Sequence, residues 1–392
     1  MTPAPLDAAG LDAADPLAHF RDRFVIDDDL IAYLDGNSLG RLPIATRDRL
    51  ATFVRDEWGT DLIRGWERWT SLPSQVGDQI GALIGSAPGQ TVLTDSTSIC
   101  LFKLLHAAGE LRPERTEVVV EAHAFPTDRF LVDAVAEQRG WMVRRVEHPS
   151  DLWAALGERT AVVVLGHVDY RTGELHDLPA LTAAIHDAGA LALWDLCHSV
   201  GAVPLDLDGD HVDLAVGCTY KYLNGGPGAP AFLHVAGEHL GAVKQPIPGW
   251  WSVPDLFAMT AAHEPAADAR RMLSGTPNVA GMLAVQEGAR LTTEAGSAAI
   301  RAKSIALTAF AIELLDAAGL EVVTPRDPAR RGGQVSVRCE DAAGVARALV
   351  ERGVVPDFRP PDLVRLGFSP LTTSFAEVRA GIEMLTSIVS SS

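Results

Sequence analysis

Cysteine is scarce in this chain. Only four occur, Cys100, Cys197, Cys218 and Cys339, with no C-x-x-C pair and no regular spacing. That excludes a disulfide framework and a cysteine zinc site, and fits a reducing cytoplasm. Positive charge is short as well: 33 Lys and Arg stand against 51 Asp and Glu, giving a formal charge of −18. Affinity for polyanions comes chiefly from Lys and Arg displacing counterions, so neither nucleic acid nor an anionic membrane is expected as a partner. No stretch approaches the uninterrupted apolar length of a membrane span, and the start "MTPAPLDAAGLDAADPLAHF" lacks the basic residues and apolar run of a secretory leader. Internal repeats and low-complexity tracts are missing too.

Several familiar motifs are absent: no G-x-x-x-x-G-K-[ST] loop, no H-E-x-x-H pair and no G-x-S-x-G elbow. "GPGAPA" (226–231) spells a loose dinucleotide fingerprint, but it contains prolines and leads into a strand where a helix is needed. The twelve histidines are scattered and read as surface or core residues, so no metal site is expected.

What is present is enough chain, 392 residues with 47% hydrophobic, for two or three domains with substantial cores. Strand-like runs "EVVVE" (117–121), "TAVVVLGHV" (160–168), "ALALWDL" (190–196), "VDLAVGC" (212–218) and "PAFLHV" (230–235) recur through the middle. Between them lie helical patterns such as "LPALTAAIHDAG" (178–189), with Gly189 as a C-terminal stop. This alternation predicts an α/β fold, a mostly parallel sheet covered by helices. After "LSGTPNVAG" (273–281) come long helix-like sequence to Gly319, then "EVVTP", "QVSVRC", "AGVARALVERG", "VVPDF" and a last helix from about Ser374, which together predict a smaller α/β domain. The expected division is an N-terminal segment 1–48 packing with the small domain, a large domain 49–275 and a small domain 276–392.

Lys221 stands out in "TYKYLNGGPGAP" (219–230), a glycine-rich turn between two apolar runs. A lysine there is either a surface cation with its stem across the sheet edge, or a partly desolvated amine able to act as a base or to form an imine. Asp195 ends a buried strand, with His198 three residues on. The carboxyl ends of strands face the ligand crevice in open α/β sheets, although an aspartate there also serves as a helix or turn cap and a histidine as a core residue. "TDSTSICLFKLLHAAG" (94–109) reads as a helix ending at Gly109, whose start offers backbone N–H groups and the hydroxyls of Thr97 and Ser98 to an anion. "EAHAFPTDRF" (121–130) places Phe125 and Asp128 at another strand end, an aromatic face and a carboxylate suited to a planar heterocycle, or equally a core ring and a turn residue. One lysine, one strand-end aspartate, a phosphate-type helix start and a stacking aromatic are together the parts needed for pyridoxal phosphate.

"YLDGNSLGRLP" (33–43), "FPTDRF" (125–130), "DLCHSVGAVPLDL" (195–207), "GCTYKYLNGGPGAPAFLHV" (217–235), "GWWS" (249–252) and "SGTP" (274–277) closely resemble the kynureninases, pyridoxal phosphate-dependent hydrolases of the aspartate aminotransferase-like fold. The likeness runs from about residue 24 to the C-terminus. It implies hydrolytic Cβ–Cγ cleavage of L-kynurenine, or 3-hydroxy-L-kynurenine, to anthranilate, or 3-hydroxyanthranilate, and L-alanine. It further implies that Lys221 holds the cofactor as an imine and that Asp195 pairs with the ring nitrogen. His198 would lie at the ring's phenolic edge, Phe125 would stack on it, and Thr97, Ser98 and Thr127 would join the cofactor site. Asp128 becomes a second carboxylate near the ring, and Tyr220 a phosphate ligand and candidate proton donor. Trp250 and Thr276 would reach the phosphate of a neighbouring subunit, making a homodimer with shared sites. Arg365 in "PPDLVRLGFSP" (360–370) would grip the substrate carboxylate, with Asn37 and Ser38 alongside. Cys197 and Thr219 depart from the smaller residues the family pattern leads one to expect. The competing readings are a cysteine desulfurase or lyase of the same fold, which needs an exposed nucleophilic cysteine, and a non-catalytic binding protein.

Overall fold

A computed structural model describes residues 7–27 and 29–390 of the chain. The first strand, β1 (Ala32–Tyr33), is short. The next seven are β2 (Thr91–Thr94), β3 (Glu117–Glu121), β4 (Met142–Val146), β5 (Thr160–Gly166), β6 (Leu191–Asp195), β7 (Leu214–Gly217) and β8 (Ala231–Val235). They form one sheet in the order β2-β8-β7-β6-β5-β3-β4, in which β8 alone runs against its neighbours. Alternate side chains feed two cores, as a strand's period of two requires. Val118, Val120, Val162, Val164 and Leu193 pack on the helices Thr97–Leu111 and Pro126–Arg139. Val119, Val163, Leu165 and Trp194 pack on Leu72–Leu83, Leu178–Asp187 and Val279–Ala295. Burial on both faces explains why these strands read as continuous apolar runs rather than as alternating ones.

A second, antiparallel sheet takes the last third of the chain. Strands β9 (Glu321–Val322), β10 (Gln334–Arg338), β11 (Val354–Val355), β12 (Asp357–Arg359) and β13 (Leu363–Gly367) follow in sequence, four of them ordered β12-β13-β10-β9. The remaining strand, β11, pairs in parallel with β1, which brings the start of the chain to its end. Asp12 adds to that union by accepting from the backbone N–H groups of Phe375 (2.7 Å) and Ala376 (3.0 Å), at the open start of the helix Phe375–Val389.

Three local details differ from the sequence expectation. The helix starting at Thr97 does not stop at Gly109 but runs on to Leu111, because Gly109 is the flat spot over which the side chain of Arg139 lies. The run "VVPDF" is split by Pro356 into β11 and β12, which join different sheets. Strands β2 and β4 lie at the two edges of the large sheet, and β4 carries Arg144 and Arg145, so neither has the long apolar run of a central strand.

Candidate active site

The turn that carries Lys221 is clamped from both sides. Gly40 N–H donates to the carbonyl of Tyr220 at 2.8 Å, and a side chain at Gly40 would strike the carbonyl of Lys221 and Asn224. From the other side the helix Val279–Ala295 presses Gly288 against the carbonyl of Leu223. The glycine-rich stretch is therefore a close-packed support that fixes the Lys221 backbone.

Around it the carboxyl ends of β3, β5, β6 and β7 open a cavity lined by Thr97, Ser98, Phe125, Thr127, Asp128, Asp195, His198, Tyr220 and Lys221, together with Glu121, Asp169, Tyr170 and Cys197. Nine side chains singled out in the sequence thus meet in one place. Asp195 ends β6, and its Oδ1 accepts from Cys197 N–H at 2.7 Å, so it does cap its own turn as well as face the cavity. Asp128, only 2% exposed, meets the Asp195 carboxyl; burial first and that neighbouring charge second hold its pKa well above the carboxylate range. His198 is pushed well below the usual histidine range by burial and then by the cations Lys221, Arg365 and Arg359, so its ring is neutral. Its Nδ1 is buried without a partner among the described residues. Tyr220 is raised by burial, and Lys221 Nζ lies 6.0 Å from the centre of its ring. Phe125 meets Tyr170 edge to face at 5.3 Å.

The helix Thr97–Leu111 points its N-terminus here, with Ser96 as N-cap accepting from Ile99 N–H. Thr97, Ser98 and Tyr220 also line a second hollow with Gly228, Pro230 and Thr276, so Thr276 lies beside the anion-type end of the site, not in the main cavity. Trp250 lies in neither: it packs on Trp66 and Trp251, at ring-centre distances of 6.2 and 4.7 Å, beside the exposed loop that follows it.

Arg365, Asn37 and Ser38 stand together one layer away. Arg365 is 1% exposed; its Nη1 donates to the carbonyl of Tyr170 at 2.6 Å, and its Nη2 donates to Ser38 Oγ at 2.8 Å and to Asp357. With its carbonyl turned toward Arg365, Asn37 accepts from Nε at 3.0 Å. Tyr170 thus connects this cluster to the cavity wall. Glu121, Asp169, Tyr170 and Asp357 were not anticipated from sequence. Glu121 ends β3 as Asp195 ends β6, so the same strand-end rule could have found it. Tyr170 and Asp357 gave no such signal, because the hairpin after β5 and the pairing of β12 with β13 bring them in.

The family described as "Kynureninase C-terminal domain" matches residues 300–385. Over 395 aligned residues, covering 98% of this chain and 95% of the relative, the sequence is 43% identical to a kynureninase of Pseudomonas fluorescens. It is 44% identical to one of Burkholderia pseudomallei over the same shares. Among solved structures, a cysteine desulfurase from Thermococcus onnurineus superposes with a TM-score of 0.83 at 19% identity, covering 95% of this chain and 98% of that one. A cystine C–S lyase bound to cysteine persulfide gives 0.81 at 18%, covering 92% and 98%. At such identities these two share the fold only, whereas the near-full-length identity to curated relatives settles the lineage: the chain belongs to the kynureninase family.

Proposed function

We propose that this protein is a kynureninase: a pyridoxal 5′-phosphate-dependent hydrolase that cleaves the Cβ–Cγ bond of L-kynurenine, or 3-hydroxy-L-kynurenine, to an anthranilate and L-alanine. The observation that carries the reading is the convergence of Lys221, the Asp128–Asp195 pair and the Thr97–Ser98 helix start on one cavity. The donor set fits the cofactor. Hydroxyls and backbone N–H groups suit its phosphate, a carboxylate suits its ring nitrogen, and His198 lines the cavity with an Nδ1 that has no partner among the described residues. When bound, the cofactor supplies an electron sink for negative charge developing on the amino-acid substrate.

The chain's own residues do the rest. Lys221 would hold the cofactor through its amine, and that same amine, when free, is the base placed to move a proton at the substrate α-carbon. Asp195 would pair with the ring nitrogen and keep it protonated, Phe125 would cover the ring, Thr97, Ser98, Thr127 and Tyr220 would take the phosphate, and Tyr220 would also serve as a proton donor. Arg365, set by Asn37 and Ser38, takes the substrate carboxylate. A desulfurase would need an exposed, mobile cysteine, but all four cysteines are buried and burial raises Cys339 to about 11.

A homodimer is proposed with it, in which Trp250 and Thr276 serve the neighbouring site. Exposed Trp58, Ile63, Phe257 and Met259 support an apolar contact surface. None of the helices is long and apolar enough to cross a membrane among the described residues. A cytoplasmic location is proposed from the four free thiols. The chain is proposed to divide into the segment 1–48, a large domain 49–275 and a small domain from 276 on, whose first helix, Val279–Ala295, packs Met282 and Val285 into the large sheet's core.

Borohydride reduction of the cofactor-loaded enzyme followed by peptide mapping tests the lysine. A label fixed at any residue other than Lys221 overturns the assignment. Lys221→Ala is expected to abolish anthranilate release from L-kynurenine, whereas sulfide release from L-cysteine by the native protein would favour the desulfurase.

A further inference from the structure

Outside the cavity, two of the scattered histidines come together with a glutamate. His148 follows β4, while Glu174 and His176 leave the hairpin after β5, and their ligand-type atoms all lie within 4.8 Å of one another. His148 Nε2 sits 3.3 Å from Glu174 Oε2, and the two imidazoles meet edge to face at 5.6 Å between centres. His176 is 7% exposed, and its Nε2 is buried without a partner among the described residues. Leaving such a nitrogen unsatisfied is unfavourable unless something else binds that ring.

We propose that His148, Glu174 and His176 form a binding site for a divalent transition-metal ion of the zinc class. Two imidazoles and one carboxylate are the donor set that borderline ions take, with a water completing the four positions. The ligand atoms already lie within 4.8 Å of one another, with His148 Nε2 and Glu174 Oε2 at 3.3 Å, close to the edge of about 3.3 Å of a tetrahedron with bonds of about 2.0 Å. The outer partners are already in place. Arg330 holds Glu174 through Oε1 and leaves Oε2 for the ion, while Ser150 Oγ lies 2.9 Å from His148 Nδ1. On binding, the ring proton that faces Glu174 from Nε2 moves to Nδ1, where the Ser150 hydroxyl accepts it and the present contact from Ser150 N–H is given up. The ion ties the turn after β4 to the hairpin Val168–Leu175, which presents Asp169 and Tyr170 to the cavity. Its role is to position that wall.

The test is calorimetric titration of zinc chloride into cofactor-loaded enzyme freed of metal by a chelator. One ion per chain is expected, with a rise in the thermal midpoint and a zinc X-ray absorption spectrum carrying two imidazole shells. His148→Ala and His176→Ala should each weaken binding at least tenfold and remove the thermal shift. Should His176→Ala fail to fold, Glu174→Gln, which keeps the side-chain shape, must weaken binding in the same way. Absence of stoichiometric binding to the native protein overturns the site, as does any folded variant that binds zinc as tightly as the native chain.

Discussion

Asp357 pairs with Arg365 twice: as cross-strand neighbours of β12 and β13, and as an ion pair that sets a carboxylate on the guanidinium. Ser38 donates to the same Oδ2 at 3.0 Å, and Arg359 reaches it at 2.7 Å. A substrate carboxylate seeking Arg365 therefore competes with a carboxylate of the chain itself. Asp357→Asn keeps the shape and removes the competing charge. KM for L-kynurenine should fall by up to about tenfold, equivalent to about 1.4 kcal/mol, with kcat little changed. A rise in KM would instead mean that Asp357 is needed to hold the guanidinium in its binding pose.

Asp128 offers a second test, made on the cofactor-free protein. Its carboxyl is held above the ordinary range by burial and by Asp195. A carboxyl with a raised folded pKa keeps a proton that the unfolded chain has released, so native stability falls as pH rises above the unfolded value of about 3.9. Asp128→Asn removes that penalty. Its thermal midpoint should match the native one near pH 4 and exceed it by a few degrees near pH 8. Equal midpoints at both ends would show that Asp128 is ionised in the fold.

Glu121 makes the same logic quantitative. Burial first, then the carboxylates of Asp169 and Glu174, push it from an ordinary 4.5 up to about 8. Between those values the folded state binds one extra proton, so stability declines with rising pH by up to about 1.4 kcal/mol per unit. Glu121→Gln should therefore gain about 3 kcal/mol at pH 7 in urea unfolding and flatten the decline. A variant with the native slope would place the titration elsewhere.

Much of this site was legible in the sequence because its parts sit where local rules apply. Strand ends announce Asp195, a cluster of hydroxyls announces the helix start at Thr97, and the turn around Lys221 cannot be anything but tightly packed. The central strands were legible for the same reason: sheet faces covered on both sides give unbroken apolar runs. What escaped depends on contacts between distant segments. Asp357 reaches Arg365 only through the register of β12 on β13, and Tyr170 reaches the cavity only because a hairpin folds back on β5. No periodicity in the sequence encodes either. His148 and His176 likewise looked scattered, since 28 residues separate two side chains that the loops after β4 and β5 bring together.

Far from the cavity, Asp213 binds two histidines at once. Its Oδ2 accepts from His186 Nε2 at 2.7 Å and from Ala192 N–H at 2.8 Å, and its Oδ1 from His239 Nε2 at 2.7 Å. Burial alone would raise this carboxyl, but the hydrogen bonds from His186, His239 and Ala192 outweigh it and bring the pKa to about 2. The same contact raises His186. Asp213 has a depressed folded pKa, so its contribution is full above the unfolded value of about 3.9 and is lost as pH falls toward 2. His186 has a raised one, so its contribution is full below about 6.5 and is lost as pH climbs through the folded value. Both terms are present together only between about pH 4 and 6.5. Asp213→Asn should thus cost about 3 kcal/mol near pH 5.5, measured by urea unfolding, and less near pH 9, where His186 is neutral in either protein. A gap of the same size at both pH values would mean that neutral hydrogen bonds, not the charge on His186, hold β6 and β7 together at this end of the sheet.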